Sequence, residues 1–142
     1  MAKVNGIIAV SISLHVDTQP SLSILLDSDG TVNRMGTGEA SNIETDLFIG
    51  KSSEPLLPSI LSNLTDDMLD YMGSYDISDK RGPLCKLSIG FQFSDGHTDG
   101  FAFFYGAESE GPPFEIAEFV RAAIAITNPW YNSQKKVVDK TE

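Results

Sequence analysis

Leu87, Ile89, Phe91 and Phe93 alternate with Lys86, Ser88, Gly90, Gln92 and Ser94, and Phe101, Phe103 and Tyr105 repeat the pattern after a polar break. A period of two marks strands with one buried face. The two runs form a hairpin, and its turn decides which side chains meet, because a slip of one residue exchanges the faces. A two-residue loop at Asp95-Gly96 would put Phe101, Phe103 and Tyr105 on the face of Ser88 and Gln92. A five-residue loop, 95–99, sets Phe93 opposite Phe101, Phe91 opposite Phe103 and Ile89 opposite Tyr105, with Phe104 over Gly90. The aromatic pairing favours the five-residue loop, although Asp-Gly is the commoner two-residue signal.

Four earlier strands are expected. Residues 6–16 alternate Val10, Ile12, Leu14 and Val16 with Ser11, Ser13 and His15, and Gln19-Pro20 ends the run. Leu22, Ile24 and Leu26 follow. Asp27-Ser28-Asp29-Gly30 is a turn signature before a short strand at 31–35. Gly36-Thr37-Gly38 opens a polar loop, and 46–50 is a fourth strand.

Helical spacing begins after Lys51. Leu56, Leu57, Ile60, Leu61 and Leu64 form a stripe, with Pro58 tolerable only in a first turn. Thr65-Asp66-Asp67 is a fresh helix start, and Met68, Leu69 and Met72 continue to Gly73. One bent helix or two short ones are expected. Ile116, Phe119, Val120, Ala123, Ile124 and Thr127 share a face in a final helix that Asn128-Pro129 should stop. The reading is α+β: an antiparallel sheet of about five to six strands, order ββββα(α)ββα, with two or three helices on one face. Residues 1–132 form a single domain, and 133–142 are a polar, frayed tail.

Composition narrows the function. The chain has 142 residues, with twenty Asp and Glu against ten Lys and Arg, a net charge of −10. That excess repels phosphate backbones and excludes a nucleic-acid binder. It suits a basic protein partner. The single cysteine, Cys85, cannot form an internal disulfide, which suggests a reducing compartment. The alternation at 10–16 argues for a strand rather than a signal peptide, and no apolar run reaches membrane length. A cytoplasmic protein is expected.

Catalytic and metal motifs are not found. His15 and His97 lie far apart, with too few partners for zinc. His97 sits between Asp95 and Asp99 in a solvated turn. Cys85 is expected in the core. The 27–30 turn lacks the later ligands of a calcium loop. No catalytic residue, metal or cofactor is assigned.

Two sets of residues stand out. Asp66, Asp67 and Asp70 form an acidic patch. Tyr75, Asp79, Arg81, Glu108 and Glu110 lie in the loops at 73–83 and 106–112. The leading expectation is an interaction module of the inhibitor or immunity type, acting through its acidic surface. The alternative is a small-ligand-binding protein or enzyme with a cleft between those two loops. Either a monomer or a homodimer through a sheet edge is compatible with the sequence.

Overall fold

In a computed structural model of the protein, residues 3–38 and 44–140 are described, with side chains to residue 136. Seven strands form one sheet: β1 (Ile7–Val16), β2 (Gln19–Asp27), β3 (Thr31–Gly36), β4 (Phe48–Lys51), β5 (Gly73–Asp76), β6 (Leu84–Phe93) and β7 (Thr98–Gly106). Their order is β4-β3-β2-β1-β6-β7-β5. The first four strands walk outward to one edge as an antiparallel meander. Helix α1 (Leu56–Leu61) and a 3-10 helix (Asp66–Tyr71) then carry the chain across to the opposite edge. There β5 pairs in parallel with β7. The hairpin β6–β7 fills the gap between β1 and β5.

The sheet therefore has one strand more than the upper expectation, and it is mixed rather than antiparallel. The added strand, Gly73–Asp76, has Tyr75 as its only large apolar side chain, too little to show alternation. Its direction follows from the crossing, which brings the chain to the β7 edge at the end where β7 starts.

One face of the sheet is buried. Val10 and Ile12, Leu22, Ile24 and Leu26, Val32, and Leu87, Ile89, Phe91 and Phe93 join Phe101 and Phe103 in a single core. Leu56, Leu57, Ile60, Met68 and Leu69 enter it from the short helices, and Ile116, Phe119 and Ala123 from α2 (Phe114–Lys140). Phe91 meets Phe101 edge-on at 5.4 Å. Cys85 is buried in this layer, as expected.

The hairpin turn corrects the five-residue loop. Ile89 faces Phe101, Leu87 faces Phe103 and Cys85 faces Tyr105. The Phe93 amide donates to His97 O and the Gly96 amide to Phe93 O. Gly96, at φ +95°, supplies the left-handed residue of a three-residue turn. Because this register keeps the parity of the five-residue loop, the aromatic face is the expected one while every pairing is displaced. Phe104 lies opposite Lys86, and Gly90 opposite Gly100.

The β1–β2 turn falls at Asp17-Thr18 rather than at Gln19-Pro20, with φ of 49° and 69°. The Asp17 carboxylate accepts from the Leu84 amide at 2.9 Å, and the Asp17 amide donates to Leu84 O at 2.7 Å. Those two bonds hold a turn that a β-branched threonine resists.

Helix α2 runs through Pro129, where a stop was expected, and carries residues 133–140, read above as a tail. Proline removes the amide that would serve the carbonyl four residues back. Side chains tie the helix to the sheet just ahead of the proline. Thr127 Oγ1 donates to Ala123 O at 2.7 Å, and Arg34, reaching in from β3, donates from Nη1 to Thr127 Oγ1 at 2.8 Å and to Asn128 Oδ1 at 2.9 Å. Arg34 is 1% exposed. Its Nε and Nη2 donate to Gly36 O, and its guanidinium lies 4.4 Å from the Tyr131 ring centre. Burial pushes its pKa down, while Tyr131 and Glu44 oppose that shift. The Tyr131 hydroxyl accepts from the Gly36 amide and donates to Glu44, which also meets Lys135. The neighbouring Trp130 donates to Lys51 O, capping a carbonyl of β4.

Arg34→Ala removes packing and strands several buried acceptors. It should lower the unfolding free energy by about 3–5 kcal/mol in a urea titration. A loss below about 1 kcal/mol would show that α2 holds without the guanidinium. Burial pushes the Tyr105 and Tyr131 hydroxyls up to about 12. The unfolded chain ionises its phenols first, so stability should fall as pH rises from about 10 to about 12. Tyrosinate absorbance of the folded protein should show both groups ionising late, and Tyr131→Phe should remove one of them. Ionisation of both near pH 10 would contradict the buried hydroxyls.

Candidate functional site

The strands run between two ends of the sheet, about 30 Å apart for nine residues. The expected site residues divide between those ends. The β2–β3 turn, the end of β4 and the β6–β7 turn lie at one end. The 3-10 helix joins them there, because Asp66 accepts the Val4 amide at 2.9 Å just ahead of β1. Asp79, Arg81, Glu108 and Glu110 belong to the opposite end, beyond the ends of β5 and β7.

At the second end the two loops meet directly. The Ala107 amide donates to Pro83 O at 2.8 Å and the Glu108 amide to Arg81 O at 2.9 Å. A Cβ on Gly106 would lie 2.2 Å from Arg81 O, so the two backbones are in contact. Asp79 pairs with Arg81 at 3.3 Å, and Asp76 with Lys80. Tyr75 turns inward and stacks on Phe103 at 5.1 Å. Segments 73–83 and 106–112 are thus brought together, and Arg81 and Glu108 are joined there by a backbone hydrogen bond.

The first end is strongly acidic. Asp27, Asp29, Glu54, Asp66, Asp67, Asp70, Asp95 and Asp99 gather there, against Lys3, Lys51 and His97. Lys51 reaches Asp29 at 3.9 Å, a solvated contact that neutralises little. Thr31 donors hold the Asp29 carboxyl below its usual range. The His97 amide and ring do the same for Asp95. His97 stacks on Phe93 at 4.3 Å, so it belongs to an ordered turn rather than a loose one. Asp66, Asp67 and Asp70 are exposed, and among the described residues none of them forms an ion pair. Asp27 and Glu54 were not singled out above. Glu54 stands directly before the apolar run Pro55–Pro58, which was the available signal.

Two cavities are notable. On the open face of the sheet, Ser11, Gly90 and Gly100 floor a trough of about 450 Å³. Small polar residues on an uncovered antiparallel face need only water as a partner. At the acidic end, a narrower crevice of about 320 Å³ runs between the β2–β3 turn and α1. Cys85 offers no nucleophile, because burial pushes its thiol up. No helix among the described residues is long and apolar enough to cross a membrane. Comparison with protein-family models, with curated proteins and with solved structures finds no match.

The loop junction is testable by itself. Gly106→Ala drives a methyl into the Arg81 backbone and should cost about 1–3 kcal/mol. An unchanged melting temperature would mean that the two loops can separate freely.

Proposed function

We propose that this protein is an interaction module that binds a basic protein partner through the acidic end of its sheet. An inhibitor or immunity-type role, masking a cationic surface, fits that reading best. The observation that carries it is the concentration of Asp66, Asp67 and Asp70 with the acids of both neighbouring turns, at an end where few cations answer them. Like charges held together by a fold raise the local potential and destabilise the free protein slightly. A cationic partner relieves that repulsion and is steered toward it.

The second set of residues supports no comparable reading. Asp76 and Asp79 are already paired, and the Arg81–Glu108 junction is closed by backbone hydrogen bonds.

The test is affinity capture with the intact protein, followed by titration calorimetry with each purified basic partner. Asp66→Asn/Asp67→Asn/Asp70→Asn should weaken binding by about tenfold or more and flatten its dependence on salt. A partner that binds the triple variant with equal affinity would sink the acidic-end assignment. Capture of no basic partner would sink the reading as a whole.

A further inference from the structure

The crevice beside α1 is unlike the rest of the acidic end. Its floor is apolar: Ile7, Leu26, Val32 and Leu57 are buried core residues. Pro58 and Leu61 also line it, and the half-buried Asp27 and exposed Glu54 stand at its mouth. The shape has a local cause. Pro55 precedes the first residue of α1 and Pro58 sits within its first turn, which keeps the helix short. The β2–β3 turn at 27–30 stands on the other side, closed by the Gly30 amide donating to Asp27 O.

Neither mouth carboxylate is spent. Asp27 Oδ1 accepts the Asp29 amide at 3.3 Å and the Ser28 hydroxyl at 3.4 Å, both long bonds made by one oxygen. Among the described residues, Asp27 and Glu54 form no ion pair. An apolar slot with two acidic residues at its rim matches a side chain that is apolar along its stem and cationic at its tip. A purely aliphatic group would leave the carboxylates unanswered, and a compact cation would leave the floor wet.

We infer that the crevice receives one arginine side chain of the basic partner, with its methylene stem on Leu26 and Leu57 and its guanidinium between Asp27 and Glu54. This rests on the proposed function and deepens it. Arginine is favoured over lysine because its planar head is weakly hydrated and offers several donors to two acceptors. Such anchors carry much of the energy of protein interfaces.

The experiment uses the whole protein and three small probes: n-propylguanidinium, guanidinium and n-propanol. Methyl and amide NMR spectra follow each titration. Propylguanidinium should give saturable shifts at Ile7, Leu26, Val32 and Leu57, binding about tenfold tighter than either fragment, because only it fills both parts of the site. Asp27→Asn/Glu54→Gln should lose that preference for the cation, its amide spectrum reporting in the same sample that it is folded. Glu54→Gln alone serves if the double variant unfolds, since the Glu54 carboxylate is exposed and makes no hydrogen bond or ion pair among the described residues. Propylguanidinium binding no tighter than propanol, or shifts unchanged in the variant, overturns the inference. Neither outcome touches the effect of the Asp66/Asp67/Asp70 variant on partner binding, so the two readings fail separately.

Discussion

A guanidinium placed in an apolar layer must be satisfied there or the layer does not close. Arg34 imposes that condition on this fold. It lies on the core face of β3 between Val32 and Gly36, and every donor contact it makes is to an oxygen of Gly36 or of α2. Among the described residues no carboxylate touches it directly. Its compensation is spread over a threonine hydroxyl, an asparagine amide, carbonyls and an aromatic face. That arrangement ties α2 to β3 just ahead of Pro129, which lies inside a helix of 27 residues. Tyr131 on Gly36 and Trp130 on the β4 edge hold the helix beyond the proline.

The chain path then distributes the charge. Because β4 and β5 occupy opposite edges, the connection between them has to span the buried face. Its apolar positions go inward, and its acids are left at the rim. The 3-10 helix shows this division plainly: Met68 and Leu69 are buried, while Asp66, Asp67 and Asp70 are exposed. Helix α1 spans only Leu56–Leu61, and the crevice lies between it and the β2–β3 turn. The crossing connection thus adds Glu54, Asp66, Asp67 and Asp70 to the acids of the two neighbouring turns.

Much of this was legible in the sequence. Alternation identified β1, β2 and the hairpin strands, and the three-residue turn keeps the expected faces, because parity rather than length decides them. Gly73–Asp76 escaped notice because a four-residue edge strand needs only one buried side chain. The expected stop at Pro129 rests on a local rule that cannot see the tertiary contacts of Arg34, Trp130 and Tyr131 holding the helix on both sides of it. Arg34 itself was visible in principle: it occupies an inward position of an alternating run, where a charge is an anomaly. The separation of Asp66–Asp70 from Arg81 and Glu108 could not be read locally, because it depends on a crossing direction that only the parallel pairing of β5 reveals.

The arginine clamp also orders events in time. Its partners Thr127 and Asn128 lie 93 and 94 residues further along the chain. At about 5–20 residues per second, a ribosome needs on the order of 5–20 s to deliver them after β3 has emerged. During that interval the Arg34 guanidinium has Gly36 O within the meander, while its Nη1 still lacks the α2 oxygens that it meets in the finished fold. The contacts that complete the burial of this charge are thus among the last parts of the fold to be synthesised.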